Sequence, residues 1–205
     1  MKHFTLFSLC LALTVGTTWA QDETESSQET LLGGGVTSSG GYGGSWFQYG
    51  AFHGQAALFT GGFGGWFANQ KFTIGGGGLR LATGVAVPEA DRLDATQEMT
   101  FENNFGGLYL AYTFNSNKVI HPEVSMMAGS GGVWQRNEDG DNFGKSSYAF
   151  LMPGASIDFN VIHFMRIGVG ANYRVAFGSN TQGITDGQLG GPSGFVTLKF
   201  GYFGQ

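Results

Sequence analysis

The stretch that decides the fold is residues 165–177, MRIGVGANYRVAF, in which the character of the side chains alternates from one position to the next. Every odd position is apolar or aromatic. The even positions hold Arg166, Asn172 and Arg174, separated by glycine and alanine. Because successive side chains of a β-strand point to opposite faces, this segment is predicted to be a strand with one apolar and one polar face.

Three other segments alternate in the same way: 108–114, 151–161 and 196–202. With the less regular segments included, eight strands are predicted, at 41–52, 55–67, 71–84, 100–114, 118–134, 147–160, 164–177 and 188–203. The first three carry apolar residues at both odd and even positions, so bulges or glycine kinks are expected there and neither face is assigned.

The connections between these strands alternate in length. Tight turns are predicted at 68–70, 115–117 and 161–163, and longer, polar, mostly acidic loops at 85–99, 135–146 and 178–187. Only the link His53–Gly54 is short on the long-loop side. An even strand count with short turns at one end and long loops at the other is typical of outer-membrane barrels, whereas a soluble sandwich has no reason to sort its loops. The sequence predicts an all-β fold: an eight-stranded antiparallel up-and-down transmembrane β-barrel.

Aromatic residues concentrate near the ends of the predicted strands. Those at the tight-turn ends are Trp66, Phe67, Phe72, Tyr112, Phe114, Phe159, Phe164 and Tyr202. Those at the loop ends are Phe47, Tyr49, Trp134, Tyr148 and Phe177. We expect the two groups to form the interfacial girdles of a transmembrane barrel.

Two segments are predicted to precede the barrel. Residues 1–20 have a short basic start, an apolar stretch and a small residue at the end, the pattern of a cleaved signal peptide. Residues 21–39 are acidic and then glycine-rich, which predicts a flexible segment. The barrel occupies 40–205. The expected location is the cell outer membrane, with both termini in the periplasm.

Composition excludes several classes of protein. The chain has 37 glycines among 205 residues, 15% aromatic residues and only 12% charged residues. Few charges and many glycines argue against a coiled coil or a helical bundle, and the net charge of -5 argues against a nucleic-acid partner. The expected partners are outer-membrane lipid and lipopolysaccharide, with another outer-membrane protein as a further candidate.

Two stretches carry a resemblance to a known family. Residues 61–81, GGFGGWFANQKFTIGGGGLRL, and 153–175, PGASIDFNVIHFMRIGVGANYRV, resemble a family of small outer-membrane β-barrel proteins of Bacteroidota. The resemblance spans roughly residues 40–203 and implies location and fold, but the family carries no established activity. An acidic residue often precedes the proline equivalent to Pro153 in that family, where this chain has Met152.

The predicted inward faces carry charged residues. An eight-stranded barrel is just wide enough for side chains to fill its interior, and charges in such a low-dielectric space must pair. We therefore expect a salt-bridged lumen with Tyr148, Phe150 and Met152 as filling. Its charge network is predicted to consist of Glu123, Asp158, Arg166, Arg174 and Lys199, with His121 and Arg80 as further candidates.

Candidate chemistry elsewhere is weaker. If the last strand pairs with the first, His53, Ser193 and Asp186 supply a base, a nucleophile and an orienting acid, but nothing in the sequence fixes their geometry. Residues 137–142, NEDGDN, resemble half of a calcium loop, yet Phe143 falls where that loop needs an oxygen ligand. No catalytic residue, cofactor or metal is expected.

The sequence thus favours a structural or interaction protein of the outer membrane, a scaffold or accessory barrel with a plugged lumen that is not an enzyme. A lipid-modifying enzyme and a narrow channel are the alternatives.

Overall fold

The computed structural model describes Val36, residues 38–179 and residues 183–204. The predicted signal peptide and nearly all of the predicted flexible segment lie outside the described residues. The described part belongs to one compact unit, 34–205.

Nine strands, one 3₁₀ turn and one short helix make up the described chain. The strands are β1 (Ser39–Phe52), β2 (Gln55–Ala68), β3 (Phe72–Leu81), β4 (Val85–Ala86), β5 (Met99–Thr113), β6 (Ile120–Asn137), β7 (Asn142–Ile162), β8 (Met165–Phe177) and β9 (Gly191–Tyr202). The 3₁₀ turn is Glu89–Asp91 and the helix α1 is Asp186–Leu189. Among these described residues, no helix is long and apolar enough to span a membrane.

The sheet closes on itself. Strands pair antiparallel in the order β3-β2-β1-β9-β8-β7-β6-β5, and β3 also pairs with β5. The two-residue β4 pairs only with the loop end of β5, so it adds no strand to the ring. The fold is an all-β, antiparallel up-and-down ring of eight strands, as the sequence predicts.

The hairpin of β6 and β7 is longer than expected. The sequence predicts a loop at 135–146, but the connection between the two strands is only 138–141. The antiparallel pairing continues to Arg136 and Asn142. The two strands thus extend past the segment in which apolar and polar residues alternate, and the added residues are mostly polar. The prediction of a long loop here is wrong.

Other boundaries differ by a few residues, and β3 ends at Leu81 instead of residue 84. The turn predicted at 161–163 shortens to 163–164. The last strand begins at Gly191 because α1 precedes it, and the helix starts with the side chain of Gln188 accepting a hydrogen bond from the backbone N–H of Thr185 at 2.8 Å.

The first three wall strands are regular. β1 and β2 pair without a break from Ser39 to Phe52, and β2 and β3 pair without a break as well. The expected bulges are therefore absent from these strands, and register shifts occur instead at Val133/Gln135 and at Asn160/Ile162. Period two fails in β1 and β2 because their large inward side chains are mostly aromatic, and in β3 because Gly75–Gly78 occupy the middle of the strand.

The interior is an apolar core interrupted by polar groups. Its buried aromatic side chains are Tyr42, Trp46, Phe52, Phe59, Phe63, Phe67, Phe101, Phe105, Tyr109, Tyr148, Phe150, Phe195 and Phe203. Many of these rings meet edge to face, such as Trp46 with Phe63 at 5.2 Å between centroids. The sequence predicts Phe67 and Tyr148 in the girdles, but both side chains point inward. Each lies at one of the alternate positions of its strand, β2 or β7, that face the interior.

Glycines let the ring close tightly. An added Cβ at inward-facing Gly75 would fall on the carbonyl oxygen of Gly64 in the neighbouring strand. At outward-facing Gly43, the nearest atom to an added Cβ is the carbonyl oxygen of Phe63 at 3.8 Å, an ordinary contact. The curvature of a small barrel compresses its inner face, so glycine is required on that side.

We expect Gly75→Ala to lower the free energy of unfolding by about 1–3 kcal/mol, because a methyl group forced against backbone cannot be relieved by a rotamer change. Gly43→Ala is the matched control and should change the free energy by less than about 0.5 kcal/mol. The measurement is urea unfolding of the folded chain in detergent micelles, followed by tryptophan fluorescence. Equal effects of the two substitutions would show that inner-face crowding is unimportant.

Candidate functional site

A lysine inside the barrel bridges two carboxylates. The Nζ atom of Lys199 on β9 donates to Oε1 of Glu123 on β6 and to Oδ2 of Asp158 on β7, both at 2.7 Å. All three residues occupy inward positions of their strands, and none is more than 4% exposed. The alternation of each strand is what directs these side chains to the same interior space.

Hydroxyl groups complete the bonding of both carboxylates. Glu123 accepts hydrogen bonds from the hydroxyls of Tyr109 and Thr113, both at 2.9 Å, and Asp158 accepts one from Ser156 at 2.9 Å. Burying an ion is costly unless it is paired and its remaining hydrogen bonds are made. The cluster meets both conditions for its two acids, so it is a stable interior feature of the barrel.

Tyr109 and Thr113 are partners that the sequence reasoning missed. Thr113 lies directly opposite Glu123 in the pairing of β5 with β6, and Tyr109 is on the same inward face. Both lie at the alternate positions of β5 that face the interior. The signal in the sequence is therefore a hydroxyl group at an inward position near a predicted inward acid.

The two interior arginines do not pair with these acids. The guanidinium carbon of Arg166 lies 3.9 Å from the ring centroid of Phe203, and that of Arg174 lies 4.3 Å from the ring centroid of Phe105. Arg174 also donates from Nε to the carbonyl of Leu189 at 2.7 Å. Within the described part of the chain, no carboxylate lies within 4.0 Å of either guanidinium group. Aromatic faces take the place of the expected ion pairs.

Height along the barrel explains why Arg174 misses the acids. Asp158 lies opposite Gly168 of β8, and Arg174 is six residues further along that strand, from 168 to 174. At about 3.3 Å per residue this separation is about 20 Å, beyond the reach of an arginine side chain. The sequence placed both residues on inward faces but did not give the register between them.

The two further candidates for the interior charge network, His121 and Arg80, lie on opposite sides of the barrel wall. His121 is fully buried and its Nδ1 bonds to the carbonyl of Lys118 at 3.0 Å, so that nitrogen carries the proton. Arg80 is exposed on the outer surface, because Leu79 and Leu81 hold the inward positions of β3. Its assignment to the lumen is wrong.

The candidate catalytic residues have other partners. His53 bonds through Nε2 to the carbonyl of Gly183 at 2.8 Å. The carboxylate of Asp186 accepts the backbone N–H groups of Gly178 and Ser179 at 2.9 and 2.8 Å. Among the described residues, neither side chain forms a hydrogen bond with the hydroxyl of Ser193. In the described residues, the three side chains therefore do not form the hydrogen-bonded chain of nucleophile, base and orienting acid.

The acidic loops hold no arrangement of metal ligands in the described residues, where no three His, Cys, Asp or Glu side chains converge. Within 137–142, Oδ1 of Asn137 accepts the backbone N–H of Asp141 at 2.8 Å and closes the hairpin. In the link between β4 and β5, the hydroxyl and the backbone N–H of Thr96 both donate to Asp94 and lower the pKa of that carboxyl group. The side chains of Asn137 and Asp94 therefore stabilise turns.

The loop end of the interior is apolar. Val85, Val87, Ile184 and Leu189, which belong to β4, α1 and the loops, are buried within the same core cluster as Phe101. These side chains thus pack into the core of the ring at its loop end.

We expect Lys199→Met to lower the free energy of unfolding by about 3–5 kcal/mol, since it leaves two buried carboxylates without their cation. A double-mutant cycle with Glu123→Gln should give a coupling free energy of at least about 1 kcal/mol. The control cycle, Asp158→Asn with Arg174→Met, should give a value near zero because these side chains lie far apart. A large coupling in the control cycle, measured by urea titration, would contradict this geometry.

Comparisons with known proteins identify the fold. No protein-family model and no curated protein sequence matches the chain. The crystal structure of Neisserial surface protein A (NspA) matches with a TM-score of 0.55 and 10% identity, covering 81% of this chain and 98% of that one. The structure of Ail, the attachment invasion locus protein of Yersinia pestis, matches with a TM-score of 0.45 and 14% identity, covering 80% and 96%. The similarity to NspA shows a shared barrel fold.

Proposed function

We propose that this chain is a small outer-membrane β-barrel whose interior is closed to ions and that it acts as a structural or interaction protein of the bacterial outer membrane. The observation that carries the proposal is an apolar outer surface around a ring that also buries an ion cluster. The ion cluster of Lys199, Glu123 and Asp158 is buried, whereas large apolar side chains cover the outside. Such an arrangement is unfavourable in water and favourable in a bilayer.

The apolar belt supports membrane insertion. Ile74, Leu108 and Val169 are each 49% exposed on the outer surface of three different strands. At the tight-turn end, the outward aromatic side chains Trp66, Phe72, Phe114, Phe159, Phe164 and Tyr202 are exposed where a girdle would meet the membrane interface. NspA, which shares the barrel fold, is by name a surface protein.

The direction of the strands supports an orientation in which both ends of the barrel lie in the periplasm. β1 begins and β9 ends at the same end of the ring, beside the tight turns after β2, β5 and β7. Outer-membrane barrels place short turns in the periplasm and longer loops outside. Both ends of the barrel would then lie in the periplasm, as expected for a chain delivered through a cleaved signal peptide.

The packed interior supports a barrel that does not conduct. Trp46, Phe63 and Tyr109 form mutual edge-to-face contacts across the interior, with centroids 5.2 to 5.8 Å apart. The ion cluster lies beside these rings, with Nζ of Lys199 5.8 Å from the Phe63 centroid. Such packing of rings and ion pairs supports an interior without a continuous row of waters. The expected partners remain membrane lipid, lipopolysaccharide and a second outer-membrane protein.

The location is tested by inserting a protease site at Asp139, in the 138–141 connection, or at Asn117, in the exposed tight turn between β5 and β6. Protease added to intact cells should cut the first variant and spare the second. Cutting at Asn117 alone would invert the orientation, and no cutting of either variant in cells with a permeable outer envelope would argue against exposure of the loops.

Closure is tested by reconstituting the purified chain in planar bilayers, with a large porin as the positive control. We expect no steady current, because the interior is filled. A stable single-channel conductance would favour the channel alternative. A changed mass of lipid A in cells that overproduce the chain would instead favour a lipid-modifying enzyme.

A further inference from the structure

A concave site lies on the outer surface near the loop end of strands β1, β2, β3, β5, β6 and β7. Its volume is about 840 Å³. The outward polar side chains that line it are Ser45, Thr60, Arg80, Asn104, Ser130, Lys145 and Ser147. It lies outside the ring, because Arg80 and Asn104 are exposed while their chain neighbours Leu79 and Phe105 point into the core.

The depression arises from missing side chains. Gly62 of β2, Gly78 of β3 and Gly106 of β5 lie opposite one another in a single row, and Ser130 of β6 continues it. All four occupy outward positions of their strands. A row of glycines lowers the outer surface by the depth of a side chain, between the exposed Phe47 on one side and β7 on the other.

The same region interrupts the apolar belt. On β5 the outward residues Leu110 and Leu108 are apolar, and the next outward positions toward the loops are Gly106 and Asn104. On β8, by contrast, outward apolar residues continue to Phe177 at the end of the strand. In a bilayer, this side of the barrel would admit polar groups deeper than the opposite side does.

Two cations flank the depression and no acid lines it. Within the described residues, the guanidinium group of Arg80 makes no hydrogen bond or ion pair, and Nζ of Lys145 lies 5.6 Å from the ring of Trp134. Arg80 is on β3 and Lys145 on β7, three strand spacings apart in the sheet order. At about 4.8 Å per spacing the strands are about 14 Å apart. A ligand with anionic groups at two ends matches this spacing.

We propose that this site binds an acylated disaccharide that carries a phosphate at each end, the chemistry of the lipid anchor of lipopolysaccharide. One phosphate meets the guanidinium group of Arg80 and the other the ammonium group of Lys145. Hydroxyl and amide groups of Thr60, Asn104 and Ser130 face the sugars. The acyl chains run along the belt below the glycine row. The inference deepens the proposed function, since the site faces the outer leaflet only if the loops lie outside.

The test uses the full chain folded in zwitterionic detergent micelles, with purified bisphosphorylated lipid A as the probe and calorimetry as the readout. We expect this probe to bind at least tenfold more tightly than dephosphorylated lipid A or phosphatidylglycerol. The double variant Arg80→Gln/Lys145→Gln should lose at least tenfold in affinity. Lys71→Gln/Lys118→Gln removes the same charge from exposed tight-turn positions and should keep the affinity.

A second variant tests the depression itself. An added Cβ at Gly78 would lie 3.4 Å from the carbonyl oxygen of Phe105, an ordinary contact, so Gly78→Leu fills the depression from outside. We expect it to weaken binding at least tenfold while the barrel keeps its heat-modifiable mobility in gel electrophoresis.

Three results would overturn the proposal: equal binding of phosphatidylglycerol, full affinity in Arg80→Gln/Lys145→Gln, or an equal loss in the lysine control. Binding in micelles does not depend on orientation in cells. Failure of the protease test with normal binding would therefore reject the proposed location and leave the site intact.

Discussion

Closure of eight strands into one ring is the constraint on which the rest of the structure depends. A ring of this size leaves an interior that side chains can just fill, so every inward position must be matched to its neighbours in volume and polarity. Large rings from β1, β2 and β5 occupy much of that space, and glycines such as Gly75 and Gly107 accept close approach of adjacent backbone. The unusual glycine and aromatic content of the chain are two consequences of the same geometry.

The buried ion cluster is the second consequence. Lys199 reaches Glu123 and Asp158 across the interior, because β9, β6 and β7 face one another in a narrow ring. Pairs of this kind contribute less to net stability than to a single arrangement of the interior, since an unpaired member would be strongly unfavourable. The arginines show a different solution, in which ring faces and a backbone carbonyl receive the cation. Charge in this interior is thus distributed between ion pairs and aromatic contacts.

Much of the architecture follows from period two, and the failures have physical causes. Alternation in β5, β7, β8 and β9 assigned Asp158, Arg166 and Lys199 to the inward face, where the structure has them. It could not assign β1 and β2, because aromatic side chains on the inward face erase the difference between the two faces, nor β3, whose middle is four glycines. It also could not give register, on which the partner of each charge depends, so it did not show that Arg174 lies about 20 Å along the barrel from Asp158. The face to which a side chain points follows from its position within one strand, whereas the register between strands is set by closure of the whole ring.

Glycine has a different role on each side of the ring. Inward glycines relieve crowding, so their replacement is limited by neighbouring backbone. Outward Gly43 and Gly78 have ordinary space around an added Cβ, so closure of the ring does not require glycine there, whereas an added Cβ at outward Gly106 would lie 2.7 Å from the carbonyl oxygen of Gly77. A side chain at such a position would add area to the outer surface, and the missing side chains of Gly62, Gly78 and Gly106 together leave a depression beside Arg80. Because crowding does not account for Gly78, a ligand seated on the outer surface gives a physical reason for the missing side chain at that position.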